Sequence, residues 1–476
     1  MLFNSSNFLL FLPLVFVIYH LVDQAKRNFI LLIASYFFYG SWDWRFLGLI
    51  LLSTVVDYYC GKALHRSQGS TRKKLLFISL FTNLSLLGVF KYFDFFIQSF
   101  RDLLALLGGN WSESPTLDII LPVGISFYTF QTLSYTIDIY RGRMRPCENP
   151  ISFALFVGYF PQLVAGPIER AKRLLPQIEK ARAFDWNTFR KGISLALFGL
   201  FKKVFIGDCI AAPYAEQAFL SPAAHDGGFL FFGLCMFALQ IYADFSGYSD
   251  IARGVSRMFG IELMVNFRQP YLSRNITEFW RRWHISLSSW LKDYLYIPLG
   301  GNRQTAIKTY RNLMLTMIIG GLWHGAAWTF VIWGGLHGLY LACHKRFLGE
   351  RKTDWEKQPA NSSEWLTAIP CIVATNLLVL LAWLFFRAKS FSEATEYLSV
   401  MGTAFFTAEG FLAVILSLAF FHLVVVCIDI GSYISGDQDF MESKSIPLRG
   451  LAYSMLALLT WVAWPTAYAP FIYFQF

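Results

Sequence analysis

The sequence predicts an all-α, polytopic membrane protein, and three observations carry that expectation. Of 476 residues, 55% are hydrophobic and 18% aromatic against 15% charged, a balance foreign to soluble domains. Apolar runs recur from one end to the other, and a run in lipid must satisfy its own backbone, which within one segment only a helix does. The net charge is +10, but the basic residues lie in short stretches between apolar runs. That is the positive-inside pattern; nucleic-acid binding would gather them on one soluble face.

A crossing takes about 20 mostly apolar residues. In order, candidate elements fall at residues 8–21, 28–40, 46–60, 75–97, 119–140, 151–165, 193–206, 228–251, 313–342, 366–386, 411–434 and 448–464. The expectation is roughly ten to thirteen membrane elements, in one domain over residues 1–476 with its densest motifs at 150–345. The first run follows MLFNSSN, which has no positive charge, and precedes Lys26 and Arg27. This is the reverse of a secretory signal, so the segment is expected to stay attached with the N-terminus outside. Residues 61–74 carry Lys62, Arg66, Arg72, Lys73 and Lys74 without an acid, whereas residues 208–227 carry Asp208, Glu216 and Asp226 without Lys or Arg. The first stretch is therefore expected in the cytoplasm and the second outside.

Residues 151–166 are flanked by Arg141, Arg143 and Arg145 on one side and Arg170, Lys172 and Arg173 on the other. Both ends on one side imply a re-entrant hairpin bent at Pro161 and Gly166, the alternative being a short buried helix across a thinned bilayer. Further on, Asn275 and Glu278 have capping-box spacing, and Phe279, Trp283, Leu287, Trp290, Tyr294 and Ile297 recur at helical spacing until Pro298. One amphipathic helix at the cytoplasmic interface is expected there. Residues 345–364 form the sizeable polar loop of the C-terminal third.

His284, in FWRRWHISLSSWLKDYLYIPLGGNR, and His324, in GGLWHGAAWTF, stand out in so apolar a chain. An imidazole exchanges protons near neutral pH, and an ionisable group at membrane depth is a functional candidate by default. Gly321 and Gly325 flank His324, and Gly334 and Gly338 flank His337, spacings that allow close helix approach. On one continuous helix His324 and His337 would lie about 220° apart, so His337 is given a structural role. Arg281, Arg282 and Lys292 can match the phosphates of a nucleotide thioester, or serve as ordinary interfacial anchors. Asp244, Ser246, Ser249 and Asp250 can orient a histidine or bind a polar substrate, or simply cap a span. Trp283, Trp290, Trp323 and Trp328 are candidate walls that keep water from a reactive thioester. Cys60, Cys147, Cys209, Cys235, Cys343, Cys371 and Cys427 show no CxxC pair or metal-ligand spacing and read as packing residues, so no metal site is expected. No Walker loop, HExxH or GxSxG occurs.

FPQLVAGPIERA at 160–171, DFSGYSDIARG at 244–254, the His284 stretch at 279–303, GGLWHGAAWTFVIWGGLHG at 320–338 and SYFFYGSWDWRF at 35–46 together resemble the membrane-bound O-acyltransferases, in particular their bacterial alginate O-acetylation (AlgI-like) branch. The resemblance covers nearly the whole chain. It implies about eleven spanning helices plus re-entrant and interfacial ones, in the bacterial inner membrane. It also implies a thinned centre where a cytoplasmic donor meets an external acceptor. The implied reaction is acetyl transfer from acetyl-CoA or another acyl thioester, a co-substrate and not a resident cofactor, for O-acetylation of an exported polysaccharide. His324 is the implied general base, and His284 the residue that orients the donor or donates N–H to the oxyanion. Implied partners are a periplasmic SGNH-type acetyltransferase, a polysaccharide synthesis and export complex, and membrane lipids, without nucleic acid. D-alanyl transfer toward teichoic acid is the alternative within the family. A transporter is the alternative outside it, but no second copy of either histidine motif supports inverted repeats.

Overall fold

The computed structural model describes residues 1–109, 111, 116, 117, 119–349, 359, 362–464, 471 and 472, and these form helices and turns without a strand. Most of the expected polar loop at 345–364 lies outside the described residues. The chain divides into two compact units, Met1–Ile193 with Ala252–Met264, and Ser194–Ile251 with Val265–Phe476.

The first unit opens with α1 (Ser6–Leu21), α2 (Gln24–Gly40), α3 (Leu47–Arg66) and α4 (Gly69–Leu87). The charged stretch at 61–74 is thus mostly helix, turning only at Ser67 and Gln68. A π-helical turn, Gly88–Tyr92, leads into α5 (Phe93–Leu106), and α6 (Ile125–Tyr140) follows. Helices α3, α4 and α6 share a buried polar network. Asp57 accepts from Ser79 Oγ at 2.5 Å and Asn83 Nδ2 at 2.8 Å, while Ser53 and Thr132 donate to Asn83 Oδ1 at 2.6 and 3.2 Å. Such partners make a buried polar group tolerable among apolar helices.

Residues 151–166 form two short buried helices, α7 (Pro150–Gly158) and α8 (Phe160–Leu163). Asn149 Oδ1 caps α7, accepting from the N–H groups of Ile151 and Ser152 at 2.8 and 3.3 Å, and Pro150 suits the first turn because its missing N–H would go unused there. The chain bends at Tyr159, two residues before the expected Pro161, since Pro161 takes the same first-turn role in α8. Gly166 remains a bend, where a Cβ would collide with the backbone of Gln162. Glu169, fully buried ahead of α9 (Ala171–Glu179), accepts from Arg173 at 2.9 Å and from Met264 N–H. Burial nevertheless pushes its carboxyl up to about 7.

Two long helices, α10 (Trp186–Leu200) and, after α11 (Ala212–Leu220), α12 (Gly227–Met258), contribute residues to both units. Within the second unit α10 continues as an 11-residue π-helical segment, Phe201–Ala211, directly into α11. The acidic stretch expected as an external loop is therefore helical as far as Leu220. The wide π turn lets the adjacent Lys202 and Lys203 both point inward, 4% and 3% exposed.

The amphipathic helix expected at 275–297 starts as read: Asn275 Oδ1 accepts from Glu278 N–H at 2.9 Å, and Glu278 Oε2 from Arg274 N–H at 3.0 Å. It is not continuous. Helix α13 (Ile276–Arg282) stops at Trp283, and α14 (Ile285–Leu291) begins after His284. The single element expected at 313–342 is likewise two, α15 (Ala306–His324) and α16 (Trp328–Leu348), folded back as an antiparallel hairpin through Gly325–Ala327. Its backbones touch where glycines stand: a Cβ on Gly321 would meet Phe330 O, and one on Gly334 would meet Met317 O. Helices α17 (Ser362–Arg387), α18 (Phe391–Gly402), α19 (Ala408–Ser435) and α20 (Ile446–Val462) complete the described unit.

Among the described residues five helical stretches are long and apolar enough to cross a membrane unaided, Trp44–Arg66, Gly69–Leu106, Gly227–Met258, Ser363–Arg387 and Ala408–Ser435. The breaks and buried polar side chains shorten or dilute the others. The architecture is that of an all-α polytopic membrane protein.

Candidate active site

The site lies within the second unit and is built on the break between α13 and α14. His284 occupies the left-handed region, φ 42° and ψ 54°, where a branched-off Cβ is crowded and residues other than glycine persist only when their surroundings hold them. Three interactions hold it. Ser288 N–H donates to its carbonyl at 2.9 Å, which starts α14, and Ile285 N–H donates to the Asn266 carbonyl at 2.9 Å. On the side chain, Nδ1 lies 3.1 Å from Asn266 Oδ1.

His324 is the last residue of α15, where the Gly325 turn ends the helix. A Cβ on Gly325 would run into the Phe330 ring, so the small residue after the histidine is what permits the hairpin. His284 and His324 are 0% and 4% exposed, and their rings lie 6.2 Å apart between centres. Aromatic rings enclose them. Phe245 and Trp323 stand edge-on to His284 at 4.7 and 5.8 Å, and Trp323, Trp333 and Phe386 surround His324 at 5.0, 5.1 and 5.3 Å. Trp283 stacks on Phe279 and reaches Trp383, which packs on Trp333. These rings leave the two imidazoles almost without contact with bulk water.

The other candidate residues divide. Trp283 and Trp323 belong to the enclosure, and Trp290 is buried beside Tyr294. Trp328 is 59% exposed and so does not wall the pair, because the turn after His324 swings it outward. Arg282 is committed within the protein, 3.0 Å from Glu278 and donating to the Arg268 carbonyl at 3.1 Å, whereas Arg281 and Lys292 are exposed. Asp244 pairs with Lys203 at 2.6 Å and Asp250 with Lys202 at 2.5 Å. These carboxylates are engaged by lysines, and the polar side chains that meet His284 are Asn266 and, at 3.5 Å, Ser286. His337 lies in another contact, accepting from Trp280 Nε1 at 3.2 Å.

Reading the sequence missed Asn266, Lys202 and Lys203. The lysine pair carried a signal, two charges inside an otherwise apolar run; Asn266 carried none in its spacing.

Two buried imidazoles thus lie side by side on a polytopic helical scaffold, an arrangement able to exchange protons. Residues 36–381 match the membrane-bound O-acyltransferase family. The chain belongs to that family and is an O-acyltransferase. It is 42% identical to the probable alginate O-acetylase AlgI of Azotobacter vinelandii, over 84% of this chain and 78% of the relative. It is 38% identical to the peptidoglycan O-acetyltransferase of Helicobacter pylori, over 84% and 80%. Similarity to the teichoic acid D-alanyltransferase of Bacillus subtilis is lower, 30% over 58% and 71%.

Proposed function

We propose that this enzyme takes an acetyl group from a cytoplasmic thioester, acetyl-CoA in the simplest case, and passes it across the inner membrane for O-acetylation of an exported polysaccharide. The observation that carries the site assignment is the 6.2 Å approach of the His284 and His324 rings inside an aromatic shell. An alcohol is a poor nucleophile at neutral pH, and a positioned imidazole that takes its proton contributes about 10²- to 10⁴-fold. The two rings are the groups in the enclosure able to exchange protons with the acceptor and the leaving thiol. The names of the relatives support acetyl over D-alanyl and a cell-surface glycan as the final acceptor. In this reading Arg281 and Lys292, exposed beside α13 and α14, meet the donor's phosphates, and the N-terminus and residues 208–227 face outward. An external transferase of the SGNH type receives the group.

Replacing His324 or His284 with Ala is expected to lower polymer acetylation by at least about 100-fold at unchanged membrane abundance. Acetylation retained by either variant would remove that residue from the mechanism. Substituting a D-alanyl-charged carrier for acetyl-CoA tests the other family chemistry; turnover with the carrier alone would replace the acetyl reading.

A further inference from the structure

The hydrogen bonds around Asn266 decide what His284 can do in the proposed transfer, and this inference rests on that proposal. The amide orientation is fixed by a neighbour that can only donate: Ser286 N–H faces Asn266 Oδ1 at 3.2 Å, and an amide turned the other way would set N–H against N–H. Ser286 Oγ donates to the same oxygen at 2.9 Å. His284 Nδ1 lies 3.1 Å from that oxygen and 3.5 Å from Ser286 Oγ, whose own proton goes to Asn266; it therefore faces acceptors and carries the proton. A neutral imidazole has one N–H, so its Nε2 holds the lone pair.

We infer that Asn266 is a positioning residue that locks His284 in the Nδ1–H tautomer, which makes Nε2 a proton acceptor in the reaction, the role the family resemblance implies for His324, and not the N–H donor to an oxyanion that it implies for His284. The main chain serves the same end. Ile285 N–H bonds the Asn266 carbonyl at 2.9 Å, and Arg268 N–H bonds the Arg282 carbonyl at 3.0 Å, so the segment carrying Asn266 is zipped along the break that carries His284. Asn266 is 1% exposed and its Nδ2 makes no hydrogen bond; donors to its oxygen alone set its orientation. In the step itself the acceptor's hydroxyl oxygen bonds to the thioester carbonyl carbon while its proton passes to His284 Nε2. The C–S bond then breaks, and the departing thiolate takes that proton from Nε2–H. The ring returns to its starting tautomer, and only the acyl thioester and the hydroxyl are consumed.

The test compares the purified full-length protein with Asn266→Ala, Asn266→Asp and His284→Gln, using NMR of isotope-labelled histidine and acetyl-CoA turnover. The resonances lost in His284→Gln identify His284, and they should report the Nδ1–H tautomer in wild type and in Asn266→Asp. Asn266→Ala should lose that signature and about 100-fold in kcat, with KM for acetyl-CoA within about twofold. Asn266→Asp, whose carboxylate accepts the same N–H, should recover to within about tenfold of wild type. An Nε2–H tautomer in wild type with full turnover would overturn this inference alone, as would Asn266→Ala at wild-type kcat or Asn266→Asp as inactive as the alanine variant. Wild-type protein showing the Nδ1–H tautomer but no thioester turnover would overturn the transfer proposal, and the acceptor role with it.

Discussion

Lys202 and Lys203 are buried charges in adjacent positions, and each is matched by a carboxylate on α12. Removing one member of such a pair costs about 3–5 kcal/mol because the other is left buried and uncompensated, whereas replacing both by neutral groups costs far less. Lys202→Met should therefore lower the thermal unfolding temperature in detergent markedly, and Lys202→Met with Asp250→Asn should recover most of the loss. A double variant no better than the single would show that the pair is not a unit. At this scale the histidines were legible because an ionisable side chain in an apolar run has few bland explanations. Asn266 was not, because its partner lies across a helix break that no periodicity announces, and an isolated Asn before a turn looks like any other turn residue. Trp328 misled for a related reason: its closeness to His324 in sequence says nothing once the chain reverses between them.

Helix ends were read more reliably than helix interruptions. Asn275 with Glu278 carries side-chain chemistry that works locally, so four residues suffice to recognise it. The break at Trp283–His284 is held by Asn266, a partner outside its own helix, and the one at Gly325–Ala327 by the close approach of α16, neither of which helical periodicity announces. The hairpin gives a direct comparison. A Cβ on Gly334 meets Met317 O, while one on Gly335 has nothing within 4 Å. Gly334→Ala should push α15 from α16 and displace His324, lowering acetylation by about tenfold or more, as misplacement of a reacting group does; Gly335→Ala should leave acetylation unaffected. Equal activity of the two variants would mean that the close approach does not position the histidine.

For the molecule as a whole, composition and the recurrence of apolar runs were enough to read an all-helical membrane protein, and charge distribution gave the sidedness to expect. It was not enough to separate crossing helices from broken ones, since α15 and α16 read as a single apolar run until Gly325 is seen to bend. Sidedness has its own test. In a variant with the exposed Cys209, Cys343, Cys371 and Cys427 replaced by Ser, Gln68→Cys should resist a membrane-impermeant maleimide in intact cells and Ala223→Cys should react. The opposite pattern would invert the topology.

The polar braid of the first unit bears on how the chain is made. Asp57 finds Ser79 and Asn83 on the very next helix, so the α3–α4 hairpin can leave the translocon with its carboxylate already accommodated. Thr132 and Thr136, emerging later on α6, then close around a pair of helices whose buried carboxylate is already partnered.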